Sequence, residues 1–209
     1  MTSAIAPNQS PRLQVESLAC AHGGPYDLTL AAGECVAVGG RSGSGKSVLL
    51  RMIADLDPHT GEVRLDGRAC SSWPAPTWRR HVVYHAAEPA WWAPTAREHF
   101  GADGCSRVEA LLPRLDLDPA LLDADITRLS TGERQRLALI RSLARSPRVL
   151  LLDEPTSALD HAGTSAVERL LAECVGLGLS VLWVTHTPEQ AVRIGHRHVE
   201  IRERRLHAS

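Results

Sequence analysis

The chain predicts an α/β fold built on a parallel sheet, and three observations carry that reading. Short apolar runs alternate with amphipathic stretches over most of the length, as strands and helices do in a parallel sheet. A glycine-rich turn, Gly40-Arg41-Ser42-Gly43-Ser44-Gly45-Lys46-Ser47, links a short apolar run to a helical one. The run Val149-Leu150-Leu151-Leu152, typical of a strand buried on both faces, ends in Asp153-Glu154.

Residues 1–11 are polar and Pro-containing and read as a flexible tail. Leu13 to Val38 reads as strands with tight turns, the last of them Glu34 to Gly39, short and apolar. Val48 to Ala54 reads as a helix, and Gly61 to Gly67 as a further strand. Residues from about 88 to 146 read as mostly helical, with Val108 to Leu112 apolar-periodic. That segment closes with a helix through Arg134 to Arg145, apolar on one side through Leu137, Ile140 and Ala144. Strand and helix then alternate to Thr185, and Ile201 to Leu206 reads as a solvated edge strand. The domain reading is one unit over residues 12–209.

The turn at 40–47 fits G-x-x-x-x-G-K-[ST]. Glycines let successive backbone N–H groups turn inward toward anionic oxygens, and the following helix adds its positive end. Lys46 is placed to reach β and γ phosphates, and the Ser47 hydroxyl to ligate Mg²⁺. Asp153 and Glu154 stand at a strand's C-terminal end, where open α/β sheets bind ligands. Asp153 suits Mg²⁺, and Glu154 suits polarising an attacking water. Ser130 followed three residues later by Glu133 is a capping box, which starts a helix and leaves its N-terminus free to grip an anion.

With these residues in this order, the chain resembles an ATP-binding cassette (ABC) ATPase from about Leu13 to Leu206. Leu129 to Arg136, LSTGERQR, is similar to the family's signature. Pro155 to Asp160 looks like its D-loop, and Val181 to His186 like the strand ending in its switch histidine. Val82 to Phe100, together with these segments, is similar to the ATP-binding subunit of bacterial iron-efflux (Fet) type exporters. The resemblance implies a P-loop NTPase (RecA-like) core with an antiparallel β lobe and a helical lobe. It implies ATP and Mg²⁺ as cofactors, with ATP held by residues 40–47 and Mg²⁺ by Ser47 and Asp153. Glu154 and His186 would be catalytic. Ser130, Thr131, Gly132 and Glu133 would face the ATP of a second copy in a head-to-tail homodimer, with Ser157 and Asp160 in the D-loop. The partner would be a multi-span membrane permease, and the location cytoplasmic, at the inner face of the cell membrane.

Four positions depart from the family pattern. Ala87 stands where the Q-loop has Gln, with His85 and Glu88 as neighbours placed to substitute for it. Thr131 replaces a signature glycine, and Thr187 an aspartate after the histidine. The adenine-stacking aromatic is replaced, with His22 the nearest match and Tyr26 the alternative. Ala87 supports an alternative reading, a regulatory or non-transport ABC ATPase with weak or no hydrolysis. Exposed aromatics anchor partner contacts, and Trp91-Trp92 follow the Q-loop where family members meet the membrane subunit. Trp73 and Trp78 read as packing residues.

Composition limits the remaining classes. The 209 residues are 44% hydrophobic, enough for a substantial core. Lys and Arg total 23 against 24 Asp and Glu, so no basic field points to nucleic acid. The five cysteines form no C-x-x-C pair, which suggests neither zinc nor a disulfide framework. His196 and His198 read as a surface pair. No stretch approaches 18 apolar residues, so any pore is expected on another chain.

Overall fold

The computed structural model describes residues 11–101 and 105–208, without the side chain of Cys105. The tail expected over 1–11 falls, apart from Pro11, outside them. Two sheets form the frame. Strands β1 (Leu13–Cys20), β2 (Gly23–Leu30), β4 (Thr60–Leu65) and β5 (Arg68–Ala69) make an antiparallel sheet in the order β2-β1-β4-β5. The second sheet has the order β10-β9-β3-β8-β7-β6, from β3 (Cys35–Gly39), β6 (Val82–His85), β7 (Val149–Asp153), β8 (Ser180–Val184), β9 (Arg197–Arg202) and β10 (Arg205–Ala208). Its pairings are parallel except for the edge pair β10 and β9.

The parallel strands divide two cores by simple alternation. Leu150, Leu152, Val181, Trp183 and Cys35 face α4 (Thr131–Ala144) and α5 (His161–Gly176). Val149, Leu151, Leu182, Val184, Val36 and Val38 face α1 (Lys46–Ile53) and the antiparallel sheet. Strands covered on both faces need apolar residues at every position, which explains the unbroken runs at 149–152 and 181–184. Trp78, in α2 (Ala75–His81), is fully buried and donates its indole N–H to the Ile53 carbonyl at 3.1 Å. Trp73 packs edge-on against it, so this aromatic pair is structural.

The segment expected to be mostly helical departs from that reading. Before α4 its described residues form a short α-helix, α3 (Cys105–Leu111), and 3₁₀ turns at Arg97–His99, Pro113–Leu115, Pro119–Leu122 and Ile126–Arg128. Pro113 and Pro119 cannot continue a preceding helix. Asp118 and Asp125 accept from the backbone N–H groups of Ala120 and Thr127, so each opens a new turn. The apolar spacing is met by packing instead: Leu112, Leu115, Leu117, Leu122, Ile126 and Leu129 join one core with Leu137 and Ile140 of α4. Among the described residues no helix is long and apolar enough to cross a membrane.

Candidate active site

The C-terminal ends of β3, β6, β7 and β8 converge, and each carries sequence-predicted site residues. After β3, Gly40 and Gly45 have φ of 135° and 101°. A Cβ on Gly40 would fall 2.8 Å from the Ile201 carbonyl oxygen, so only glycine fits this approach. The loop leads into α1, whose first turn contains no acidic residue to offset its positive end. The Ser44 hydroxyl is buried without a partner among the described residues, a donor left for an anion. Lys46 is 6% exposed, and its ammonium donates to the carbonyls of Gly40 (2.8 Å) and Arg41 (3.0 Å). Burial pushes its pKa down, while the Glu154 and Asp153 carboxylates pull it up. Arg41, Ser42, Gly43 and Ser47 lie at the surface of the same loop and helix start.

Asp153 ends β7 and is 4% exposed. Its Oδ2 accepts from the Tyr84 hydroxyl at 2.9 Å, and among the described residues its Oδ1 accepts nothing. A hydroxyl and a carboxylate, Ser47 and Asp153, are hard oxygen donors suited to Mg²⁺. Such sites are completed by water and phosphate rather than by an all-protein cage, so the residues present fit the ion.

Glu154 follows with φ of 48°, in the left-handed region that non-glycine residues seldom adopt. Its N–H is held by the Val184 carbonyl at 3.1 Å, and its own carbonyl accepts from Ser157. This bend turns the carboxylate toward β8, where Oε1 meets His186 Nε2 at 2.7 Å. A strain of roughly 1–3 kcal/mol at such a residue persists only where the surroundings fix it, and it recurs at functional sites.

Behind His186, Gln190 of α6 (Pro188–Ile194) joins four elements. It is 5% exposed and accepts from the Thr185 hydroxyl at 2.6 Å. Its amide nitrogen donates to Thr156 Oγ1 (3.0 Å) and Glu168 Oε1 (2.9 Å), and Glu168 is also bound by Arg193. Only an amide both accepts and donates twice here. Replacing Gln190 by Leu is expected to remove about 2–3 kcal/mol of stability. In a chain of this size that lowers Tm by about 5–10 °C, read by calorimetry. An unchanged Tm would show that the network adds nothing.

The capping box is present as the sequence predicts. Ser130 Oγ accepts from the Glu133 N–H, and Glu133 Oε2 accepts from the Ser130 N–H at 2.8 Å. Gly132 sits close to the D-loop, where an added Cβ would meet Leu159 at 3.4 Å. Ser157 is exposed, and Asp160 caps α5 by accepting from the Gly163 N–H at 2.8 Å. No hydrogen bond or ion pair among the described residues joins 130–133 to 40–47.

The departures separate clearly. Ala87 presents only a methyl group, and its carbonyl is held by Gln135 Nε2 of α4 at 3.2 Å. His85 is no substitute for a loop glutamine: it is 3% exposed, packs at 3.2 Å on Ser142 of α4, and burial pushes its pKa down to about 4. Glu88 is exposed. Tyr26 is also ruled out as a stacking platform, being fully buried with its hydroxyl beneath Gly45. His22 is exposed at the β1–β2 turn, and its carbonyl accepts from Arg204. His196 Nδ1 is taken by the Cys35 N–H at 3.1 Å.

A groove of about 900 Å³ opens beside β6, lined by Arg80, Tyr84, Trp92, Arg107, Arg141 and Arg145 among others. Trp92 is 73% exposed, and the Arg141 guanidinium stands 4.6 Å and 5.1 Å from the ring centres of Trp91 and Trp92. Sequence reasoning missed Tyr84 and Gln190. The available signal for Tyr84 was a tyrosine near the end of a strand adjacent to the carboxylate strand; Gln190 carried none.

A family model described as ABC transporter matches residues 24–157. Protein STAR1 of Oryza sativa subsp. japonica is 39% identical over 178 residues, covering 80% of this chain and 51% of that protein. The probable iron export ATP-binding protein FetA of Escherichia coli K12 is 33% identical over 196 residues, 87% of each. The chain spans about half the length of STAR1 and of several import ATP-binding proteins it matches. A solved dimeric ATP-binding cassette, described as a post-hydrolysis state with ADP and phosphate, superposes with a TM-score of 0.82 at 23% identity. That match covers 94% of this chain and 98% of the other and supports the fold.

Proposed function

The chain belongs to the ABC transporter family of ATP-binding proteins, and on that premise we propose that it hydrolyses ATP to ADP and phosphate to drive a separate membrane subunit. The observation that carries this reading is the Glu154–His186 pair at 2.7 Å, set beside the buried Lys46 and Asp153. Lys46 and the loop N–H groups bind the phosphates, drawn from their contacts with Gly40 and Arg41 by the stronger charge of the nucleotide. Ser47 and Asp153 would hold Mg²⁺, which supplies neutralisation of the phosphate charge when bound. Glu154 takes a proton from the attacking water, and His186 holds that carboxylate and the γ-phosphate edge in register. The regulatory alternative is not favoured, because the Glu154–His186 contact beside the buried Lys46 and Asp153 supports hydrolysis as well as binding.

The signature segment 130–133 supports a head-to-tail homodimer, since within one chain it is bonded to its own helix and packed on the D-loop. Each phosphate loop would be completed by the Ser130 N-terminus of the other copy. The groove beside Trp92 is where the multi-span permease would dock, at the cytoplasmic face of the membrane. Phosphate release per chain, followed over a dilution series through dimer dissociation, tests this assembly. Specific activity is expected to fall on dilution, and constant activity as dimers dissociate overturns the composite site.

A further inference from the structure

We infer that Tyr84 is a positioning residue for the metal-binding carboxylate, orienting Asp153 for the ion where Ala87 has no side-chain oxygen to offer it. This rests on the ATPase reading. The geometry is specific. β6 pairs with β7 in the register Tyr84 to Leu151, so both side chains emerge on one face of the sheet. Asp153 lies two residues further along β7, on that same face by the strand period. The length of the tyrosine carries its hydroxyl there, 2.9 Å from Oδ2. The phenol O–H donates this bond and the carboxylate oxygen accepts it. One carboxylate oxygen is thereby fixed and the other is left free to meet a metal ion or its water. Mg²⁺ tolerates little departure from octahedral geometry, so an oriented carboxylate matters.

Two further observations separate this role from simple satisfaction of a buried acid. Ala87 has no group to offer a metal, and its carbonyl is tied to Gln135. Tyr84 also forms part of the wall of the groove beside Trp92 and Arg141. One residue thus touches both the proposed partner groove and the metal carboxylate.

The test uses the whole chain with a non-hydrolysable ATP analogue and Mn²⁺ as the probe, read by electron paramagnetic resonance. Tyr84→Phe keeps the ring and removes the hydroxyl. Partners of metal ligands of this kind are worth about tenfold or more in metal affinity. The expected result is Mn²⁺ binding weakened about tenfold, with metal-free analogue binding unchanged and thermal midpoint close to wild type. The apparent KM for Mg²⁺ should rise more than kcat falls. Adding Ala87→Gln should recover Mn²⁺ affinity in the Tyr84→Phe background and raise it less in wild type, because a further amide oxygen matters more where Asp153 is poorly oriented. Unchanged Mn²⁺ affinity in Tyr84→Phe overturns the inference, as does a loss that Ala87→Gln does not recover. A wild-type chain that binds neither analogue nor Mn²⁺ is a separate outcome, which removes the ATPase reading and this inference with it.

Discussion

Replacing Glu154 by Gln lowers steady-state phosphate release by about 10²–10⁴-fold, the range a positioned general base supplies. The substitution keeps the size of the side chain and the left-handed backbone that aims it. It removes the charge that would receive the water proton in the proposed reaction and weakens the contact with His186 Nε2. In the proposed site ATP binding would depend on Lys46 and the phosphate loop, which the substitution leaves untouched. If the proposed dimer closes on ATP and opens on cleavage, the variant is expected to accumulate as an ATP-bound dimer. Size-exclusion chromatography with ATP should show that dimer, and a phosphate assay the lost turnover. Wild-type turnover in the variant would remove Glu154 from the chemistry and leave the His186 contact as a structural one.

Lys46→Ala acts on binding. The ammonium bridges Gly40 and Arg41 across the loop, and the Glu154 and Asp153 carboxylates act on it electrostatically. Its removal leaves two carbonyls without their donor and the two acids facing incoming phosphates without compensation. A charge-assisted contact is worth about 1.5–3 kcal/mol, so ATP affinity should fall roughly tenfold to a hundredfold. Hydrolysis should fall further, since the same ammonium follows charge on the γ-phosphate. Titration with a fluorescent ATP analogue measures the first effect. Wild-type affinity in Lys46→Ala would refute the phosphate-loop assignment.

The parts of the site that were legible are those whose chemistry is contiguous along the chain. Gly40 to Ser47 can be read because the turn, the lysine and the helix start lie within eight residues. Ser130 and Glu133 can be read because a capping box closes over three residues, and its two reciprocal bonds are present. Asp153 and Glu154 can be read from the apolar run before them. By contrast, residues 88–130 carry leucines at spacings that suit a helix or a series of tight turns equally. Pro113, Pro119 and the Asx caps at Asp118 and Asp125 turn that balance toward 3₁₀ turns packed under α4.

The sequence by itself determined the parallel sheet, the glycine-rich turn into α1 and the acids that end β7, because alternation and short-range hydrogen bonding act within a few residues. Only the tertiary structure decided which groups hold those acids. Tyr84 meets Asp153 across 69 positions, and Gln190 meets Thr156 across 34 and Glu168 across 22. Tertiary packing likewise buried Tyr26 and His85, which removes one from adenine stacking and the other from the metal. Such contacts depend on strand register and helix placement. These are set by burying apolar faces over the whole chain, so no local pattern announces them.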